Sequence, residues 1–382
     1  MFVRFWKSFT QIVRNIRLTY ALTFTLILLI ILDIGVRKIE TIPDLILRNE
    51  GHRNLALEYM FARLEKISGR RAVWLGGSVE QGLGNTIPEM TAANLSQKIL
   101  RQSGLDITIY NMAKIGNRLG DHFAITTESI RKGADVIVFP LSLQLFSSSL
   151  LLGKGMNEPD LLIYLKFHPQ FTFLRRNILS IPDYQWDEIQ ASGFVKQCWA
   201  LYKYRDLISY LLTGSGEDMP TIIQNAFIDW AGIRTDRNSD DLLSKLKPEE
   251  KNRDNLWMQT PPAKLFQSKA ILEKINLSEK DPNIILFTMI NMLAKQTQIP
   301  ILFYLSPVNR ECVDANKLFS WDKYDHFKET ITSICKQFSQ DLIDCTDIIP
   351  AKYFTDMDHL NMNGHAMLAK ALATPIYNQL IK

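Results

Sequence analysis

The chain has 382 residues, of which 46% are hydrophobic and 22% charged, enough apolar material for a full core and too much for a disordered scaffold. Its formal net charge of +4 is gathered at the start: residues 1–17 hold Arg4, Lys7, Arg14 and Arg17 with no acidic residue, and taking those four from the 44 basic residues leaves 40 against 40 acidic ones. This balance excludes a nucleic-acid-binding surface and reads instead as a membrane-topology signal.

Residues 18–36 run LTYALTFTLILLIILDIGV, close to the ~20 apolar residues that span a bilayer, with Asp33 as the only charge. The run continues into Arg37-Lys38-Ile39-Glu40 without a small-x-small cleavage site, so the sequence predicts an uncleaved transmembrane anchor and not a signal peptide. With the positive charges before it, residues 1–17 are expected in the cytoplasm and the large domain outside, in the periplasmic or extracytoplasmic space at the plasma (inner) membrane. Residues 37–70 carry apolar side chains at helical spacing and predict a juxtamembrane helical connector.

From residue 71 strands and helices alternate. Strands are predicted at Ala72–Leu75, Ile107–Asn111 and Asp135–Leu141, with helices at Pro88–Gln102 and Asp121–Lys132 between them. The pattern stops near Gln144 and resumes at Asn283, leaving a helix-rich insertion over 145–282 that includes a charge-dense stretch, Arg234 to Asn255, and suits a lid, a partner surface or satellite packing. Helix Ile284–Lys295, strand Ile299–Leu305, helix Trp321–Phe338, strand Asp341–Asp344 and a last helix from Asn363 to Leu380 complete the chain. Five strands linked by helices imply right-handed crossovers and an α/β fold with a parallel sheet covered on both faces, forming one domain over 71–382. Of the four cysteines, Cys335 and Cys345 are best placed for a disulfide; equally, Cys198, Cys312, Cys335 and Cys345 suit small buried apolar positions.

Two stretches carry chemistry. Arg71-Ala72-Val73-Trp74-Leu75-Gly76-Gly77-Ser78 is an apolar strand ending in two glycines and a serine, a turn that exposes a nucleophilic oxygen above a parallel sheet or simply caps a helix. After the last strand comes Thr355-Asp356-Met357-Asp358-His359. Loops at the carboxyl ends of parallel strands gather on one edge, so His359 meets Ser78 there. Asp356, three residues before the histidine, can curl back onto Nδ1, whereas the adjacent Asp358 is the weaker orienter. Gly116, after the second strand, lets a backbone N–H approach a reacting carbonyl, and with the Ser78 N–H gives two donors to an oxyanion. A P-loop and a dinucleotide fingerprint both fail, since Gly82-Leu83-Gly84 continues into Asn85-Thr86-Ile87. No cofactor is expected and no metal: His122, His326 and His365 are scattered, and only Asp356, Asp358, His359 and His365 imitate a metal site.

The GGS turn, the glycine loop and the DxxH before the last helix resemble the SGNH/GDSL hydrolase superfamily. The anchor, the long insertion, the LSPVN segment and the DxDHLNxxGH ending resemble its membrane-anchored branch, related to the teichoic acid D-alanyl-transfer protein and to alginate O-acetylation proteins. The resemblance covers about Arg71–Gln144 and Asn283–Leu380. It implies a three-layer flavodoxin-like domain with Ser78 as nucleophile, His359 as base and Asp356 as orienter. It further implies a serine esterase or O-acyltransferase acting on acyl esters of envelope glycans. A catalytically weak relative that binds glycan or partners a membrane-bound acyltransferase through the insertion is the other reading. One departure stands out: where the superfamily has an oxyanion-hole Asn after the third strand, this chain reads Ser142-Leu143-Gln144, and Gln144, Ser142 or Asn117 would have to supply the missing donor.

Overall fold

The computed structural model describes residues 20, 23–37, 57–83, 88–148, 156, 159–204 and 253–381. Five parallel strands, β1 (Arg70–Trp74), β2 (Ile107–Asn111), β3 (Val136–Leu141), β4 (Ile301–Leu305) and β5 (Leu342–Asp344), form one sheet in the order β2-β1-β3-β4-β5. This is the doubly wound, flavodoxin-like order, whose direction of winding reverses between β1 and β3.

The strands form because their side chains are apolar on both faces, as a sheet covered twice requires. Ala72 and Trp74 of β1 point into a core shared with helices Ala92–Gln102 and Met362–Ile381. Val73 and Leu75 point into the other, shared with helices Leu57–Lys66, Leu119–Arg131, Pro282–Thr297 and Trp321–Gln337. There the rings of Phe139, Phe287 and Phe303 meet at centroid distances of 5.2–5.3 Å, within the range that adds edge and offset attraction to burial.

Pro140 lies inside the central strand β3, an unusual place for a residue without an N–H. Pairing of β1 with β3 ends at Trp74 and Val138, with one further bond from Leu75 N–H to the Val138 carbonyl. Proline cannot donate the next bond of that ladder, so the two strands part there. The crevice that results is the one where doubly wound sheets place their ligands.

The structure departs from sequence expectation in several places. Predicted helix Pro88–Gln102 is broken into a 3₁₀ turn, Pro88–Met90, and helix Ala92–Gln102. Helix Arg310–Asn316, which the sequence reading did not include, forms because the Asn309 side chain accepts the Cys312 N–H and caps it. All four cysteines are free, so Cys335 and Cys345 do not bridge; both are buried with Cys312, and Cys198 is exposed. Burial pushes the thiols of Cys312, Cys335 and Cys345 up to about 12, which leaves them inert. Among the described residues no helix is long and apolar enough to cross a membrane. Of the predicted span 18–36, residues 20 and 23–36 are helical and the others lie outside the described residues. The charge-dense stretch of the insertion, apart from Arg253 to Asn255, and most of the connector 37–70 also lie outside them.

Candidate active site

β1 delivers Ser78 to the sheet edge through two glycines with different tasks. Gly76 has φ +154, and a Cβ there would sit 2.4 Å from the Glu80 Cβ, a contact no other residue could make. Gly77 donates its N–H to Glu80 Oε2 at 3.0 Å, while Tyr304 OH donates to Glu80 Oε1 at 3.0 Å. Burial raises the Glu80 carboxyl pKa, and the Gly77 N–H and Tyr304 OH work against that rise. Glu80 is tied to β2 as well, since Asn111 Nδ2 donates to its carbonyl at 2.8 Å. Ser78 thus opens the short helix Ser78–Gln81 on a turn locked from β1, β2 and β4.

The second half of the site is a tight loop after β5. Asp356 Oδ1 accepts the backbone N–H of Asp358 at 3.1 Å and of His359 at 2.8 Å, which curls the chain so that the carboxylate faces its own histidine. His359 Nδ1 lies 2.9 and 2.8 Å from the two Asp356 oxygens, and Nε2 lies 2.7 Å from Ser78 Oγ. Asn309, within the LSPVN segment, holds this loop from outside by donating Nδ2 to the Asp356 carbonyl at 3.2 Å and its N–H to the Met357 carbonyl at 2.9 Å. Ser78, His359 and Asp356, 281 positions apart at the extremes, meet where strand order placed them.

Two charges join them: Lys264, which sequence reasoning did not assign, and Asp358, which it ranked as the weaker orienter. Lys264 Nζ, on helix Pro262–Glu273 of the insertion, donates to Asp356 Oδ2 at 2.7 Å. Asp358 Oδ1 lies 3.1 Å from His359 Nδ1, so the imidazole faces two carboxylates, and its neighbour in sequence does not point away. Burial works against charge on His359, but Asp356 and Asp358 outweigh it and hold the pKa above the ordinary imidazole value. Burial likewise opposes ionisation of Asp356, and His359 and Lys264 overcome it, holding that carboxyl well below its usual range.

The oxyanion-hole expectations divide. Ser78 and Gly116 line one cavity of about 300 Å³, and Gly116 has φ +82, a left-handed turn suited to glycine. Gln144 lines the cavity too, but its amide donates to Asp358 Oδ2 at 3.0 Å, which ties it to the histidine loop. Asn117 donates Nδ2 to the Gly76 carbonyl at 3.3 Å and so braces the serine turn, and Ser142 is among the lining residues. Two of the three candidates for the missing donor, Gln144 and Asn117, are therefore engaged elsewhere. The insertion contributes Ile178, Ser180 and Leu272 to the cavity wall.

Asp356, Asp358 and His359 also place ligand atoms within 4.8 Å of one another, yet these atoms are engaged by each other, by Lys264, by Gln144 and by Ser78. His365 does not join them. It is fully buried, with neither ring nitrogen partnered among the described residues.

No family model matches the sequence, and neither does any curated protein. Solved structures show distant likenesses. The acetyl xylan esterase AlAXEase is 13% identical with a TM-score of 0.35, over 80% of this chain and 99% of that one. A family two carbohydrate esterase from Clostridium thermocellum is 9% identical with a TM-score of 0.36, over 81% and 64%. A mutant of the Geobacillus acetyl-xylooligosaccharide esterase Axe2 is 12% identical with a TM-score of 0.38, over 81% and 94%. Likenesses this remote carry no inference about activity or substrate.

Proposed function

We propose that this chain is an SGNH/GDSL-type serine esterase or O-acyltransferase. The observation that carries the reading is the chain of contacts from Asp356 through His359 to Ser78 Oγ, at 2.8 and 2.7 Å, above the ends of the parallel strands. Ser78 attacks an ester carbonyl, His359 takes the serine proton and returns it to the leaving alcohol, and Asp356 holds the imidazole tautomer. Water or a sugar hydroxyl then takes the acyl group. Acyl esters of cell-envelope glycans are the substrate class that fits a domain tethered outside a membrane. The tether rests on the basic residues 1–17 and on the apolar side chains that remain exposed along 23–37, such as Phe24 and Ile31.

A fluorophosphonate probe tests it directly. The wild type is expected to be labelled and Ser78→Ala not; equal labelling of the two removes the proposal. The second reading, a glycan-binding relative with little turnover, is favoured by the diverted amide of Gln144, and would show no labelling of either protein.

A pH profile follows from the two carboxylates at His359. The imidazolium cannot accept a proton, so kcat/KM for a neutral ester should rise tenfold per pH unit on its acid limb, with the limb lying above the ordinary imidazole value of ~6.5. Stability runs the other way. The raised His359 pKa stabilises the fold fully below ~6.5 and loses its effect as pH rises through the folded value. The depressed Asp356 stabilises above ~3.9 and loses its effect as pH falls through its own folded value. Thermal unfolding should thus give its highest Tm on the acid side of the activity maximum, and an acid limb centred at or below ~6.5 would contradict the arrangement.

A further inference from the structure

The cavity that opens on Ser78 contains a cationic side chain with two buried donors that nothing among the described residues accepts. Among the described residues lining it, Arg118 is the only cationic side chain. Its Nε and Nη1 are buried and have no acceptor among the described residues. A guanidinium offers five donors and is costly to leave without acceptors once shielded from water. Burial accordingly weakens its hold on the proton, with Asp121 the only charge acting in the opposite direction.

The carboxylates of the cavity are all engaged elsewhere. Glu80 accepts from Gly77 and Tyr304, Asp281 accepts the Asn283 N–H at 2.8 Å, and Asp358 accepts from Gln144 and faces His359. Asp121 Oδ2 accepts the backbone N–H of Arg118 at 2.9 Å, which fixes the residue at the start of helix Leu119–Arg131 and leaves the side chain's Nε and Nη1 unsatisfied. That helix directs its positive end towards the same region. Arg118 follows Gly116 by two positions, on the loop that Gln81 holds against the serine turn through its Oε1, 3.0 Å from the Ile115 N–H. The unanswered charge therefore stands on the element that flanks the reacting ester.

We infer that Arg118 binds an anionic oxygen group, a carboxylate or phosphate, carried by the ester on which Ser78 acts. The inference rests on the reading of Ser78 as nucleophile for its substrate, but the charge recognition can be measured without turnover. Bidentate pairing of a guanidinium with an oxyanion is among the stronger polar contacts, so the anion should be preferred by about tenfold or more over a neutral isostere.

The test uses the full chain carrying Ser78→Ala, titrated calorimetrically with monomethyl succinate and with its neutral partner, dimethyl succinate. The monoanion is expected to bind about tenfold tighter or better, with the preference lost in Arg118→Gln and partly kept in Arg118→Lys, which retains the charge without the fork. Methyl phosphate as a third probe separates the two anion sources: tighter binding than the succinate points to phosphate, weaker binding to carboxylate. Equal affinity for the two succinates, no detectable binding of any anion, or a preference that survives Arg118→Gln overturns the proposal. Since Arg118→Lys and the unsubstituted Arg118 protein are read on their own, misfolding of the Gln variant would not rescue it. No anion preference in Ser78→Ala with Arg118 in place, beside fluorophosphonate labelling of the unsubstituted chain, removes the role of Arg118 alone; an intact anion preference in Ser78→Ala beside an unsubstituted chain that is not labelled removes the role of Ser78 alone.

Discussion

Replacing His359 by alanine is expected to lower ester cleavage by about 10⁶-fold, the loss seen when one member of a cooperating serine–histidine pair is removed. Among the described residues, His359 Nε2 is the one base within hydrogen-bond reach of Ser78 Oγ, at 2.7 Å. Asp356 and Asp358 are held on the opposite ring nitrogen and cannot substitute for it. The variant should still fold. Removing the imidazole leaves Asp356 paired with Lys264 at 2.7 Å and Asp358 accepting from Gln144 at 3.0 Å, so no carboxylate is stranded. Single-turnover assays with a p-nitrophenyl ester would read the loss, and circular dichroism the retained fold. A decrease of tenfold or less in a folded variant would show that Ser78 takes its proton acceptor from elsewhere.

The parts of the site that could be read from the sequence are those set by strand order. Ile107–Asn111 is strand in both views, because a five-residue segment rich in β-branched and aromatic residues (Ile107, Thr108, Ile109, Tyr110) is too short for a helix and suits a strand between covered faces. Ser78, Gly116 and His359 each follow a strand, and topology carries each to one edge of the sheet. What was not legible depends on contacts that no local pattern encodes. Lys264 meets Asp356 across 92 positions, from a helix whose apolar residues show no sharp periodicity. Glu80 had a weak local signal, a carboxylate two residues after the serine in a helix of four residues. Only its buried contact with Tyr304, 224 positions away, reveals that it fixes the turn. The sequence also suggested Gln144 as a replacement oxyanion donor, but the 3₁₀ turn Leu143–Phe146 after β3 brings its amide to Asp358 instead.

The two aspartates on the imidazole make separable predictions. Asp356→Asn is expected to reduce kcat by about 10³- to 10⁴-fold, because an amide at that place stabilises the wrong tautomer and gives the imidazolium of the transition state no charge. The lower figure would apply if Asp358, already 3.1 Å from Nδ1, takes over part of the orienting. Asp358→Asn should cost less than about tenfold, since Asp356 keeps both oxygens on the ring and both backbone N–H bonds. Its mark should lie in the pH profile: with one of the two carboxylates that raise His359 gone, the acid limb moves to lower pH and the rate at neutral pH falls less than the maximum does, or rises. Full pH–rate profiles of the two variants beside the wild type would read both effects. Equal losses in the two variants, or an acid limb that stays in place in Asp358→Asn, would mean that the pair acts as one unit and that Asp356 has no special claim on the histidine.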